Sequence, residues 1–304
     1  MTSASTSKQI LILGYGEMGH AFEALLADQH TLAIWSRQRE QQGLCELATE
    51  VARADLIIFC LPVMAHAAIA TRLAPFLPAT TLCLTIAKGV DEAARPAFQI
   101  LQTHLPEQAI ATIYGPMIAE ELIMKRPGFA QLTVVDSNRY ELIAQCFHSS
   151  HLYLEPSSDL VGTSWSVILK NVYALLIGIA DGLQLGDNMR GFLLVRSLQE
   201  LSSIVVELGG DAHTPYALAG LGDLVTTATS VSSHHHALGI AIGSGAAVTL
   251  AGEGVHSLQS IVAQRPFAYD QYPLFVLVHQ ILLQPQQSAA LFAGYIHSLK
   301  NTAK

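Results

Sequence analysis

Gln9-Ile-Leu-Ile-Leu-Gly14-Tyr-Gly16-Glu-Met-Gly19-His-Ala21 decides the fold. Five residues of apolar strand run into a G-x-G-x-x-G turn, and the turn runs into the start of a helix. Each glycine has a separate task. Gly14 permits the tight turn, Gly16 lets the main chain approach a pyrophosphate, and Gly19 lets the helix lie close to the sheet. The first turn of that helix offers unpaired N–H groups and the positive end of its dipole to an anion. Alone, the pattern is weak evidence. Closing the first strand of a βαβ unit near the N-terminus, it reads as a dinucleotide site with Gly14, Gly16, Glu17, Met18 and Gly19 in contact.

Working outward, short apolar runs alternate with helical spacing up to about residue 155. Strands are predicted over 9–13, 31–35, 55–60, 81–86, 110–114, 130–135 and 151–154. Helices are predicted over 17–28, 64–73 and 92–104. Strands alternating with helices predict a parallel sheet covered on both faces. Beyond Pro156 the texture changes: 160–180, 189–208 and 215–220 carry apolar residues at helical spacing, and little reads as strand. The expected fold is therefore an N-terminal Rossmann-like, doubly wound α/β domain (1–155) followed by an all-α C-terminal domain (156–304).

Composition narrows the function classes. The chain is 51% hydrophobic and only 13% charged, so membrane spans need a check. The stretch 56–70 is broken by Pro62 and His66, and 167–180 by Lys170 and Asn171. Neither offers the ~20 uninterrupted apolar residues of a spanning helix. A net charge of -8 without a basic block excludes a nucleic-acid binder. Residues 1–7 are small and polar, a flexible lead rather than a secretory signal. Cys45, Cys60, Cys83 and Cys146 have no metal-type spacing and read as free thiols, which with the missing signal places the chain in the cytoplasm.

The end of the second predicted strand selects the cofactor. NAD sites usually place an acid there, bonded to the ribose 2′-hydroxyl. Here the chain reads Trp35-Ser36-Arg37-Gln38-Arg39, with no acid before Glu40. Arg37 suits a 2′-phosphate and Ser36 can donate to it, so NADP is preferred, with NAD possible.

Three further segments carry chemistry. Lys88, in Thr85-Ile-Ala-Lys-Gly89, ends a parallel strand, the edge where ligands of such sheets gather. Lys170 and Asn171 lie in an otherwise apolar helix, where a charge is costly without a partner. Asp223 stands in the glycine-rich break Ala219-Gly-Leu-Gly-Asp-Leu-Val-Thr226.

These segments resemble the NAD(P)-dependent glycerol-3-phosphate dehydrogenases. The carriers are Leu169-Lys-Asn-Val172, the run from Gly178 to Arg190, and Ala219 to Thr226, supported by Ala87-Lys-Gly89, Gly115-Pro116, Ala119-Glu-Glu-Leu122 and Gly252-Glu-Gly254. The resemblance implies that Lys170 is the catalytic lysine, with Lys88 and Asp223 beside it in the catalytic set. It further implies that Lys88, Gly115, Asn171, Asp223, Thr227, Ser233, His234 and His235 surround a phosphorylated ketone, and that Lys88, Ala119, His234 and Glu253 touch the cofactor. A lysine ammonium can stabilise or protonate the alkoxide left when hydride reaches a ketone carbon. The implied reaction is reduction of dihydroxyacetone phosphate to sn-glycerol 3-phosphate, for phospholipid synthesis. A homodimer is compatible with it.

The departures are specific. Ser233-His234-His235-His236 stands where the family usually has Ser-Arg-Asn-Arg, and His256 replaces its next basic position. Met18 replaces an aromatic residue and Met117 a serine or threonine. A segment common in the family after the second strand is missing. Three adjacent histidines rarely converge on one ion, so no metal site is expected. Two alternatives stay open: an NADPH reductase of another small carbonyl or imine, and a non-catalytic NADPH sensor.

Overall fold

The computed structural model describes residues 7–230 and 233–300. Apart from Ser7, the expected N-terminal lead lies outside the described residues. The chain divides into two compact units: residues up to Asp91 with Arg95–Ser164, and Glu92–Ala94 with Trp165–Lys304.

The first unit is a seven-stranded sheet. Its elements are β1 (Gln9–Leu13), α1 (Glu17–Leu26), β2 (Thr31–Trp35), α2 (Arg37–Gln41), α3 (Leu47–Arg53), β3 (Leu56–Phe59), α4 (His66–Leu73), β4 (Leu82–Thr85), α5 (Ala97–Gln102), β5 (Ile110–Tyr114), α6 (Ala119–Ile123), β6 (Gly128–Val134), α7 (Tyr140–Phe147) and β7 (Leu152–Ser157). The spatial order is β2-β1-β3-β4-β5-β6-β7. From β1 the chain goes out to β2 and then crosses back to β3 on the other side. That reversal opens a crevice at the C-terminal end of β1.

Alternation along each strand feeds two cores. Ile10, Ile12, Ile58, Leu84 and Leu132 pack on one face with Phe22 and Leu26 of α1 and Phe147 of α7. Leu11, Leu13, Ile57, Phe59 and Cys83 pack on the other with Val51, Leu73, Phe98 and Leu101. Strands apolar on both faces are what a sheet covered on both sides requires.

Three expectations change. β6 runs antiparallel to β5, to which it is joined through α6, against the expected all-parallel sheet. The helix expected from residue 92 starts at Ala97: Asp91 binds the Arg95 guanidinium and main-chain N–H, and Pro96 follows as the cap. The helix expected over 215–220 is a 3-10 turn (Thr214–Tyr216) followed by a π turn (Leu218–Gly222).

In the second unit, α8 (Leu160–Gly182), which starts in the first unit, runs on to Gly182. It is followed by α9 (Asp187–Glu207), α10 (Asp223–Thr229), α11 (His234–Gly243), α12 (Glu253–Gln264), α13 (Pro273–Leu283) and α14 (Ser288–Leu299). By length and composition α8 could cross a membrane, yet it is buried over almost all its length by the protein itself. Gly178 and Gly182 face Gly239 and Gly243 of α11 so closely that a Cβ on any of the four would strike the opposing main chain. Small residues four apart on both helices let the backbones touch. This contact fixes the register of α11, which begins at the histidine run.

Candidate active site

The turn after β1 is built as its glycines imply. Gly14 has φ +97°, and a Cβ there would strike the Cys60 carbonyl; one on Gly19 would strike the Gly14 carbonyl. Among the described residues nothing lies within 4 Å of a Cβ added to Gly16, and no side chain caps the helix it opens. The first N–H groups of α1 thus face open space, a cradle that a pyrophosphate fits. Glu17 and Gly16 are exposed, whereas Met18 turns back against the core.

Beyond β2, Ser36 caps α2 by accepting the Arg39 N–H at 3.3 Å, which leaves its hydroxyl hydrogen to donate. Arg37 is exposed at the first position of α2. Glu40, the first acid after the strand, is held at 2.7 Å by Arg72, whose guanidinium also lies over the Trp35 ring. That hydrogen bond holds the Glu40 carboxyl below its usual range. The acid that could serve a ribose hydroxyl is therefore already engaged.

Lys88 follows β4, and its ammonium donates to the Gly115 carbonyl at 3.3 Å, beyond the end of β5. Ala119 is buried at the first position of α6.

The second unit holds a buried ion pair. Lys170 Nζ lies 3.1 Å from Asp223 Oδ2, with the two side chains 5% and 4% exposed. It also donates to Thr227 Oγ1 at 2.6 Å. Asp223 and Thr227 lie four apart on α10, so one helix face presents both oxygens to one ammonium. The π turn before α10 sets that face. A Cβ on Gly220 would strike the Pro215 carbonyl, so the tight turn needs glycine there. Asp223 opens α10 but turns its carboxylate to Lys170. Asn171 is buried on α8, and Gly254 of α12 comes within 3.3 Å of its carbonyl, measured from a Cβ built on Gly254. An ammonium fixed between a carboxylate and a hydroxyl is suited to hold or hand over a proton.

Two family profiles match this chain. NAD-dependent glycerol-3-phosphate dehydrogenase N-terminus matches residues 42–141, and the C-terminus of the same family matches 159–293. The glycerol-3-phosphate dehydrogenase [NAD(P)+] of Agrobacterium fabrum is 30% identical over 270 residues, covering 81% of this chain and 83% of its own. That of Gloeobacter violaceus is 33% identical over 240 residues, covering 78% and 77%. The chain belongs to the NAD-dependent glycerol-3-phosphate dehydrogenase family. The crystal structure of a glycerol-3-phosphate dehydrogenase from Coxiella burnetii superposes with a TM-score of 0.82 at 28% identity, covering 94% of this chain and 99% of that one.

Against the pattern of the glycerol-3-phosphate dehydrogenases, the histidine run divides by role. Ser233 caps α11 by accepting the His236 N–H at 3.3 Å. His234 is exposed at the first position of α11. His235 Nε2 accepts the Gly254 N–H at 3.2 Å, beside the start of α12, where Glu253 stands first. His236 Nε2 meets Asp181 Oδ2 at 2.7 Å, and Asp181 also takes Arg190 at 3.0 Å. His256 Nε2 is enclosed without a hydrogen-bond partner among the described residues. Sequence gives little warning of the Asp181 cluster, since its members stand 9 and 55 positions apart.

Proposed function

We propose that this chain reduces dihydroxyacetone phosphate to sn-glycerol 3-phosphate with NADPH, reversibly, and supplies phospholipid synthesis in the cytoplasm. The observation that carries this reading is the Lys170–Asp223 pair, a lysine and a carboxylate 3.1 Å apart and both buried. Residues 1–155 supply most of the cofactor contacts and 156–304 most of the substrate contacts.

Gly14, Gly16, Glu17, Met18 and Gly19 hold the pyrophosphate, and Ser36 with Arg37 favours NADPH over NADH. Ala119, Glu253 and His234 complete the cofactor contacts. When bound, NADPH supplies hydride for the ketone carbon. Lys170 stabilises the negative charge developing on the ketone oxygen and gives it a proton. Asp223 keeps that lysine charged and oriented. Lys88, Gly115, Asn171, Thr227, Ser233 and His235 surround the phosphorylated ketone.

The test is turnover of purified protein with NADPH and a panel of ketones, phosphorylated and not, with oxidation followed by NADPH fluorescence. Dihydroxyacetone phosphate is expected to be the best substrate. A preference for an unphosphorylated ketone would reassign the substrate. Tight NADPH binding with no turnover of any ketone would make the protein a sensor. Sedimentation of the same sample tests for the homodimer.

A further inference from the structure

At the C-terminal edge of the sheet, a histidine links two strand ends through hydrogen bonds whose directions are all fixed. His66 opens α4 and is fully buried, its ring stacked on Phe59 with centroids 5.2 Å apart. Nδ1 lies 3.2 Å from the Pro62 carbonyl and Nε2 2.8 Å from Thr85 Oγ1. A carbonyl can only accept, so Nδ1 carries the proton and Nε2 presents a lone pair. The Thr85 hydroxyl therefore donates to Nε2. With its one hydrogen committed, its oxygen faces the Ala87 N–H, which donates to it at 3.2 Å.

This matters because the β4 ladder ends at Thr85, whose partner on β5 is Thr112. Ala87 is buried past the end of the ladder, and a buried N–H needs an acceptor. Thr85 supplies it and so sets the path of the chain into Lys88. Lys88 then reaches the Gly115 carbonyl. One line of bonds thus runs from the loop after β3, through the end of β4, to the end of β5. Burial also pushes the His66 imidazole down to about 4, which keeps it neutral, as the chain of bonds requires.

We propose that His66 is a positioning residue for the reaction: through Thr85 it fixes the main chain at Ala87 and thereby the place of Lys88. This rests on Lys88 being a substrate-binding residue. The hydroxyl that satisfies His66 Nε2 is the same one that receives the Ala87 N–H, next to Lys88.

The test uses His66→Phe, Thr85→Val, Thr85→Ser and Lys88→Ala in the full-length protein. His66→Phe keeps the ring against Phe59 and drops both bonds. Thr85→Val keeps the shape and drops the hydroxyl, and Thr85→Ser keeps the hydroxyl. The readouts are the Michaelis constant for dihydroxyacetone phosphate, the turnover number, NADPH binding and the thermal midpoint. His66→Phe and Thr85→Val are each expected to raise the Michaelis constant about tenfold or more, as small misplacements of a binding group do. NADPH binding stays unchanged, and Thr85→Ser stays within about threefold of wild type, since the bond to be positioned survives. The double variant His66→Phe/Thr85→Val should be no worse than either single one, because the line is broken only once.

Folded variants with a wild-type Michaelis constant and only a lower thermal midpoint would overturn the proposal. If Lys88→Ala raises the constant while Thr85→Val does not, positioning alone fails. If Lys88→Ala itself changes nothing, the reading of Lys88 fails and the positioning role falls with it. Should His66→Phe not fold, Thr85→Val, the smaller change, carries the same test.

Discussion

Lys170 with Asp223 in the second unit and His66 with Thr85 in the first are both polar assemblies closed off from water, built on opposite electrostatic terms. The second unit buries two charges 3.1 Å apart and satisfies the ammonium further with Thr227. The first buries a neutral imidazole between a carbonyl and a hydroxyl. A buried ion pair is weak evidence for stability, because desolvation offsets most of the attraction. A neutral hydrogen-bonded line avoids that desolvation but can be broken by a proton. The contrast suggests that the charge is kept for chemistry and the neutral line for placement.

Removing one charge of the pair should have the largest effect. Asp223→Ala takes the carboxylate from a buried ammonium and should cost about 3–5 kcal/mol of stability, read by urea unfolding. Replacing both, as Lys170→Met with Asp223→Leu, should regain most of that stability and none of the activity. A double replacement that stays as unstable as Asp223→Ala would mean that the pair holds the fold, and the contrast above would fail.

Lys170→Ala sharpens the same point from the chemical side. On the proposed role of Lys170 at the developing oxyanion, its loss should lower turnover at least about 100-fold while NADPH binding stays nearly intact. A variant that keeps most of its rate would hand the role to another residue. Loss of fold and cofactor binding together would make Lys170 structural.

The exposed counterpart of these buried groups is Arg37. Arg37→Glu should weaken NADPH binding about ten- to a hundredfold and leave NADH binding little changed, measured by fluorescence titration. Equal binding of both cofactors by wild type, unmoved by the substitution, would leave Arg37 a bystander. The occupied carboxylate of Glu40 is the structural reason to expect a preference.

How far each region could be read in advance follows from the range of its contacts. The turn from Gly14 to Gly19 is local: strand, glycine spacing and helix start are neighbours in the chain, so its geometry is legible in the sequence. Lys170 and Asp223 were each legible as a charge out of place, one in an apolar helix and one on a glycine-rich break. Their meeting brings together residues 170 and 223, 53 positions apart, and depends on a π turn that no spacing rule predicts. The direction of β6 is not legible in Gly128–Val134, because a strand's residues fix its faces and not its direction relative to a neighbour. In the sequence His66 shows only as a break in an apolar stretch. The signal was present in Thr85, the one polar residue of Leu-Cys-Leu-Thr, but only the sheet sets it against a ring 19 positions back.

The smallest effect separates the two assemblies by pH. Burial, opposed by the Pro62 and Val63 carbonyls, lowers the His66 imidazole to about 4. In the unfolded chain a histidine titrates near ~6.5. Between those values the unfolded state binds a proton that the folded state refuses, so stability rises with pH. The contribution is fully present above about 6.5 and is lost as pH falls toward 4, at no more than about 1.4 kcal/mol per pH unit. His66→Phe removes the titrating group, so its stability should fall less steeply than wild type between pH 7 and pH 5. The measurement is urea unfolding of both proteins at pH 7, 6 and 5 at fixed salt. Carboxylates that protonate on the same acid limb act in both proteins and cancel in the difference. Parallel curves would show that His66 takes up its proton while folded. The neutral line would then not be closed to water, and the contrast with the ion pair would rest on Lys170 and Asp223 alone.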